Sequence, residues 1–395
     1  MKQKKHSFLQ GALVGALTVL LIIGLVACGL DSKSASSKKS GDPLDSTTQK
    51  KLTQIQKLID KNYLSDVDAD ALRDGIYKGY VSGLDDPYSV YYNEEETKAL
   101  NETTQGEYQG IGAVLTEDAD TGIVTIVQVY KDSPAEKAGV KANDILYKVD
   151  DTEMTGLDLN KVVTYIKGDK GTKVKLTVIR GDDKEQLELT ATRDKIEAQT
   201  VSHKMLEDNI GYIQVTEFDS VTTDQYKSAL DDLENQGMTG LVVDLRNNPG
   251  GNVSTVCDML DMMLPEGLIV YTQDKDGNKE TATSDEEHQF TKPLVVLMNG
   301  NSASASEIYA GAIQDYGIGK IVGTQSYGKG VVQQIFDLGD GTSVKLTIAD
   351  YYTPKGRNIN GKGITPDVEV EYQADESNPD ADNQLDKAVE VLKSE

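Results

Sequence analysis

A chain of 395 residues with 65 acidic against 40 basic side chains has a formal charge of −25, which repels nucleic acid and an anionic bilayer face and removes both as targets. The length leaves room for two or three domains around a large core. With only Cys28 and Cys257 present, a disulfide framework is excluded if Cys28 is otherwise occupied. No Cys/His cluster has metal-ligand spacing and no dinucleotide fingerprint follows a strand, so no metal or cofactor is expected.

Residues 1–28 read as a targeting segment. Met1-Lys2-Gln3-Lys4-Lys5 is a basic start, and Phe8 to Ala27 is an uncharged apolar run. Leu25-Val26-Ala27-Cys28 resembles the bacterial lipobox, in which Cys28 is lipidated after cleavage; an uncleaved spanning anchor fits the same run equally well. Both readings put the acidic remainder outside the cytoplasm, tethered to the membrane in the bacterial cell envelope. Residues 29–46, rich in Ser and Lys, read as a linker.

Residues 47–105 follow a helical period. Leu52, Ile55, Leu58 and Ile59 share one face, and Ala71, Ile76, Tyr80 and Leu84 mark a second amphipathic stretch. Asp85-Asp86-Pro87-Tyr88-Ser89 breaks the helix. Two helices make a thin core, so this segment is expected to dock on another domain or a second copy.

The period changes over residues 106–192. Strands are expected at 111–115, 123–127 and 144–149, with a one-turn helix at Ser133–Gly139 and another helix at Leu157–Ile166. Lys173–Arg180 alternates cleanly as the last strand. Residues 193–372 alternate buried strands with helices. The strand Gly240–Leu245 runs into Arg246-Asn247-Asn248-Pro249-Gly250-Gly251 and a helix over Val253–Leu264; the strand at Leu294 leads to a helix over Ala305–Gln314. Strand, polar turn, helix, twice over, predicts an α/β core with functional loops at the strand C-terminal ends. Residues 373–395 are acidic and end in a surface helix over Gln384–Leu392.

Ser302, Ser304 and Ser306 alternate at the start of the Ala305 helix. Capping competes with catalysis here, since Ser304-Ala305-Ser306-Glu307 fits the S-x-x-E box. Yet a helix N-terminus also offers free N–H donors to an oxyanion, and the alanines beside Ser304 leave room for a carbonyl. The histidines supply a triad poorly: His6 lies in the targeting segment, and His203 and His288 in polar stretches. A buried lysine can act as base instead, because desolvation disfavours the ammonium. Lys329, between Gly328 and Gly330, can approach another loop, and Gln333 can orient it. Cys257 sits among apolar residues at helical spacing and reads as a small buried hydrophobe.

Two resemblances cover most of the chain. The order of elements in 106–192, with Gly110-Ile111-Gly112 before the second strand, resembles a PDZ domain. That implies a loop of Gln109, Gly110, Ile111 and Gly112 whose N–H groups hold a peptide's terminal carboxylate while the peptide adds as a strand. Asn301-Ser302-Ala303-Ser304-Ala305-Ser306-Glu307-Ile308 and Gly328-Lys329-Gly330-Val331-Val332-Gln333 resemble signatures of the C-terminal processing peptidases, or tail-specific proteases. Asp86-Pro87-Tyr88-Ser89, Asp244 to Gly251, Tyr352 to Arg357 and Gly363-Ile364-Thr365-Pro366-Asp367 support them. The resemblance implies a multidomain α/β chain, with a helical N-terminal segment and a β-barrel-like PDZ domain inserted before a crotonase-like serine protease core. It implies Ser304 as nucleophile, Lys329 as general base, Gln333 as orienter, and an oxyanion hole from Ala305 and Gly250, with Gly251 as the next choice. Substrates would be proteins or peptides with free, apolar C-termini, and a homodimer through the helical segment is allowed. A non-catalytic PDZ scaffold or chaperone for exported tails is the alternative. A P-loop at Gly323–Gly330 is disfavoured, because Gly330 replaces the hydroxyl and a strand-like run follows.

Overall fold

The structure is a computed structural model describing residues 42–394 apart from 182, 286, 376, 379 and 380. Cys28 and the targeting segment lie outside the described residues. Among the described residues no helix is long and apolar enough to cross a membrane.

Helix α1 (Ser46–Asn62) starts at Asp45, whose carboxylate accepts from the N–H groups of Thr47 and Thr48. It buries none of its residues, and Leu52, Ile55 and Leu58 of its apolar face stay exposed. With α2 (Ala69–Ser82) as far as Tyr77 it forms one compact unit; the chain from Lys78 onward forms a second.

In that second unit, β1 (Val90–Tyr92) pairs antiparallel with Ser343–Lys345, where a helical segment is expected from the sequence. Helix α2 has already ended at Ser82, and beyond Pro87 the β-prone Val-Tyr-Tyr goes to a sheet. Helix α3 (Glu94–Gln105) is closed by an Asn93–Glu96 capping box and by Gly106 at φ 68°.

The strand β2 (Glu107–Gly110) leads into a six-stranded sheet of β3 (Ala113–Glu117), β4 (Val124–Val129), β5 (Ile145–Val149), β6 (Thr152–Glu153), β7 (Lys173–Arg180) and β8 (Glu185–Thr192). Helix α4 (Pro134–Lys137) lies between β4 and β5, and α5 (Leu159–Ile166) between β6 and β7. The expectation that Lys173–Arg180 closes this domain is corrected. β8 pairs with β7 along its whole length, its Leu187, Leu189 and Ala191 alternating with polar residues as an edge strand requires. The strand β9 (Asp194–Glu197) then pairs back onto β2.

The core sheet contains β10 (Val201–Met205), β11 (Ile210–Val215), β12 (Gly240–Asp244), β15 (Leu294–Met298), β16 (Lys320–Gly323) and β19 (Val368–Glu369), in that order, parallel except for β10. Its central strands are apolar throughout because both faces are covered. Ile213, Leu241, Val243, Val296 and Ile321 pack with α6 (Thr222–Asn235), α7 (Val253–Asp261) and α8 (Ala305–Tyr316). The alternate residues Tyr212, Val242, Val295 and Leu297 pack with α9 (Asn383–Ser394). The terminal helix is therefore not a surface appendage: Ala388 and Leu392 are buried, and Arg246 bonds Asp382 and Gln384 at its start. A second sheet joins β1, β13 (Gly267–Asp274), β14 (Lys279–Ser284), β17 (Val331–Asp337) and β18 (Ser343–Tyr352).

Candidate functional site

The loops after β12 and β15 meet at the C-terminal ends of two adjacent parallel strands. Of the alternating serines, two serve structure: Ser302 Oγ donates to Leu245 O at 2.8 Å and Ser306 Oγ to Asn248 O at 3.0 Å. No such carbonyl partner is found for Ser304 Oγ among the described residues. Ser304 instead has φ 55° and ψ −114°, a conformation a non-glycine residue holds at a cost of about 1–3 kcal/mol. Its N–H donates to Glu307 Oε2 at 2.8 Å, and its carbonyl accepts from the Tyr351 hydroxyl at 3.1 Å.

Asn248 fixes the facing turn. Its amide donates to Val215 O at 2.9 Å and its Oδ1 accepts from Gly250 N–H at 2.8 Å. Gly250, at φ 106°, has no room for a side chain: a Cβ there would stand 2.8 Å from Ser304 Cβ and 3.0 Å from Ala305 N. Gly251 bridges Phe218 in parallel fashion, with Gly250 O and Asn252 N bonded to that residue. By strand alternation the Gly251 N–H then faces the other way. Gly250 N–H itself is committed to Asn248 Oδ1. Among the described residues no acceptor is found for the N–H of Gly251 or Ala305.

Lys329 reaches this turn through its backbone. Its N–H donates to Glu307 Oε2 at 2.9 Å, the same oxygen that holds Ser304 N–H. The flanking glycines let the loop lie close against residues 360–362, because a Cβ on Gly330 would lie 2.4 Å from Asn360 N and one on Gly328 3.0 Å from Lys362 N. The amine lies over the Tyr88 ring, 4.7 Å from its centroid. Burial pushes its pKa down to about 8; Lys345 pushes the same way, against Asp86 and Glu307.

Gln333 does not bond Lys329 here. Its amide donates to Thr347 Oγ1 at 3.2 Å, across the β17–β18 pair. Thr347 N–H donates in turn to Ser89 Oγ, and Ser89 Oγ to Asp86 Oδ2 at 2.5 Å. Sequence reasoning thus missed Glu307, Tyr88, Asp86 and Tyr351 as parts of the site. The motif Asp86–Ser89 is visible in the sequence, but nothing in it says that it covers a lysine.

In the PDZ-like domain, Ile111 O accepts from Ala135 N–H at 2.8 Å and Gly112 O from Tyr130 N–H at 3.0 Å. Gln109 Oε1 accepts from Lys170 N–H at 2.7 Å, and Gly110 pairs with Asp194. Among the described residues no acceptor is found for the N–H groups of Ile111 and Gly112, the pattern a carboxylate loop needs.

Other elements fall away. His203 pairs with Asp232 and His288 is exposed. Asp244 is taken by Tyr212 and Arg246, and β17 rather than a helix follows Lys329, so no P-loop forms. Burial pushes the Cys257 thiol up to about 12, as befits a packing residue. Among the described residues no group of His, Cys, Asp and Glu side chains suits a metal ion.

Comparison with known proteins agrees with this layout. Residues 209–370 match peptidase family S41, residues 125–180 a PDZ domain, and residues 25–97 the N-terminal domain of the activating protease CtpB. The carboxy-terminal processing protease CtpA of Bacillus subtilis is 38% identical over 359 residues, covering 89% of this chain and 76% of that protein. CtpB of the same organism is 34% identical over 354 residues, covering 88% and 73%. A putative S41 protease structure from Bacteroides fragilis aligns over 84% of this chain and 93% of its own, with TM-score 0.53 and 18% identity, which speaks to the fold alone.

Proposed function

Since the chain belongs to peptidase family S41, as a carboxy-terminal processing serine protease with a PDZ domain, we propose that Ser304 is its nucleophile and Lys329 the base that activates it. The observation that carries this reading is the single Glu307 oxygen bonded to the backbone N–H of both residues, beside an amine whose burial favours the uncharged form.

Neutral Lys329 takes the proton from Ser304 Oγ as that oxygen attacks the substrate carbonyl carbon. The oxyanion is met by N–H groups of Ala305 and Gly251 at the N-terminus of α8, with Gly250 shaping the gap. The ammonium then gives its proton to the departing amine, leaving an acyl ester on Ser304. Water, deprotonated by the same lysine, hydrolyses it. Gln333 would orient the amine through its Oε1, since its NH₂ is engaged by Thr347.

The PDZ loop at Gln109–Gly112 would hold the substrate's free C-terminal carboxylate and present an apolar tail to the core. The apolar segment before Cys28 would tether the enzyme outside the cytoplasm, and the exposed face of α1 would serve a homodimer. Fatty-acid labelling lost in Cys28→Ala identifies a lipid; no label leaves the spanning anchor.

The test is cleavage of a protein bearing an apolar C-terminal tail by the purified enzyme. Ser304→Ala and Lys329→Ala should each lose at least ~10³-fold in kcat. Either variant cleaving as fast as the parent rules the assignment out.

A further inference from the structure

The Ser304–Lys329 reading, on which this inference rests, uses Glu307 only as a bridge between two backbone N–H groups and leaves its charge and its other two bonds unexplained. Glu307, in the first turn of α8, is 0% exposed. Its Oε1 accepts from Ser326 Oγ at 2.6 Å and Gly328 N–H at 2.7 Å, and its Oε2 from Ser304 N–H at 2.8 Å and Lys329 N–H at 2.9 Å. All these partners donate, and only an ionised carboxylate accepts from all of them without turning a donor of its own toward one. Ser326 Oγ also accepts from Ile364 N–H at 2.6 Å, which holds the hydroxyl in place while its proton goes to Glu307. A helix cap needs only one of these bonds, so the remaining three serve the lysine loop.

We propose that Glu307 is a positioning residue for peptide hydrolysis. It clamps the strained Ser304 turn to the Lys329 loop, and its charge acts on the amine which that loop carries. The charged and titratable groups facing Lys329 are Asp86 and Tyr88 from the turn after α2, Lys345 from β18 and Glu307 from α8. Asp86 and Glu307 favour the ammonium, while Lys345 opposes it. Of the two carboxylates, only Glu307 also bonds the loop backbone.

The test is the pH dependence of kcat/KM for a tailed substrate, using the whole protein. In Glu307→Gln the amide nitrogen faces two donors, so the clamp opens on one side. We expect kcat to fall by about tenfold or more, KM to stay within about twofold, and the acidic limb to move ~1 pH unit lower because a negative charge near the ammonium is gone. In Ser326→Ala the charge stays but one donor is lost, so the limb should move a few tenths of a unit, roughly, the opposite way. If Glu307→Gln does not fold, as thermal unfolding would reveal, Ser326→Ala decides. A limb unmoved in every folded variant overturns the proposal, even where activity falls. A parent enzyme with no such limb, or an active Lys329→Ala, would sink the Ser–Lys reading instead.

Discussion

The serine turn and the Gln109–Gly112 loop proposed to hold a carboxylate are both glycine-shaped turns, yet they are built in opposite ways. The serine turn is tied by side chains: Asn248, Ser302, Ser306 and Glu307 all bond backbone atoms across it. The PDZ loop is held chiefly by its own carbonyls, with Gln109 as the main side-chain tie. A catalytic turn must hold a strained residue in one conformation before substrate arrives. A peptide-binding loop needs only to leave N–H groups open for a ligand that completes the sheet. The contrast predicts that changes which displace the Ser304 backbone alter kcat and stability together, and that changes in the second loop alter KM.

Gly250→Ala should break the contrast hardest. The new methyl meets Ser304 Cβ and Ala303 O at 2.8 Å, so a stability loss of roughly 2–4 kcal/mol and near-complete loss of turnover are expected, by denaturant melt and peptide assay. On the PDZ side, Gly112→Ala puts a methyl 2.6 Å from Ser133 Cβ at φ 77°. KM for tailed substrates should rise by about tenfold or more with kcat for a short untailed peptide unchanged. Equal effects on both substrates would show that the loop is not a tail site. Ser306→Ala is the mildest. Asn248 O keeps its bond from Ala303 N–H at 3.1 Å, so about 1 kcal/mol should be lost and the activity largely retained.

The strands and helices of the core are legible in the sequence because buried parallel strands are continuous apolar runs and the helices beside them carry clear starts. Leu294–Met298 is such a run, and every one of its residues is buried. Where polar residues alternate, as in β8, or a helical stretch changes to Val90-Tyr91-Tyr92, the pattern is too weak. At the site, the chemistry proposed for Ser304 and Lys329 is visible because few residue types can do it. Glu307 reads as a capping residue, which it also is; its bonds to the Lys329 loop come from residues some 20 positions away, at Ser326, Gly328 and Lys329, and local pattern cannot register them. Tyr88 and Asp86 are likewise hidden by distance along the chain.

The base role of Lys329 is tested most directly by labelling Ser304 with a fluorophosphonate across pH. In the proposed roles the nucleophile is competent only when the amine is neutral, so the labelling rate should rise with pH through a midpoint near the value of about 8 that burial gives this lysine, and vanish in Lys329→Ala. A rate indifferent to pH, or equally fast without the lysine, would contradict the account.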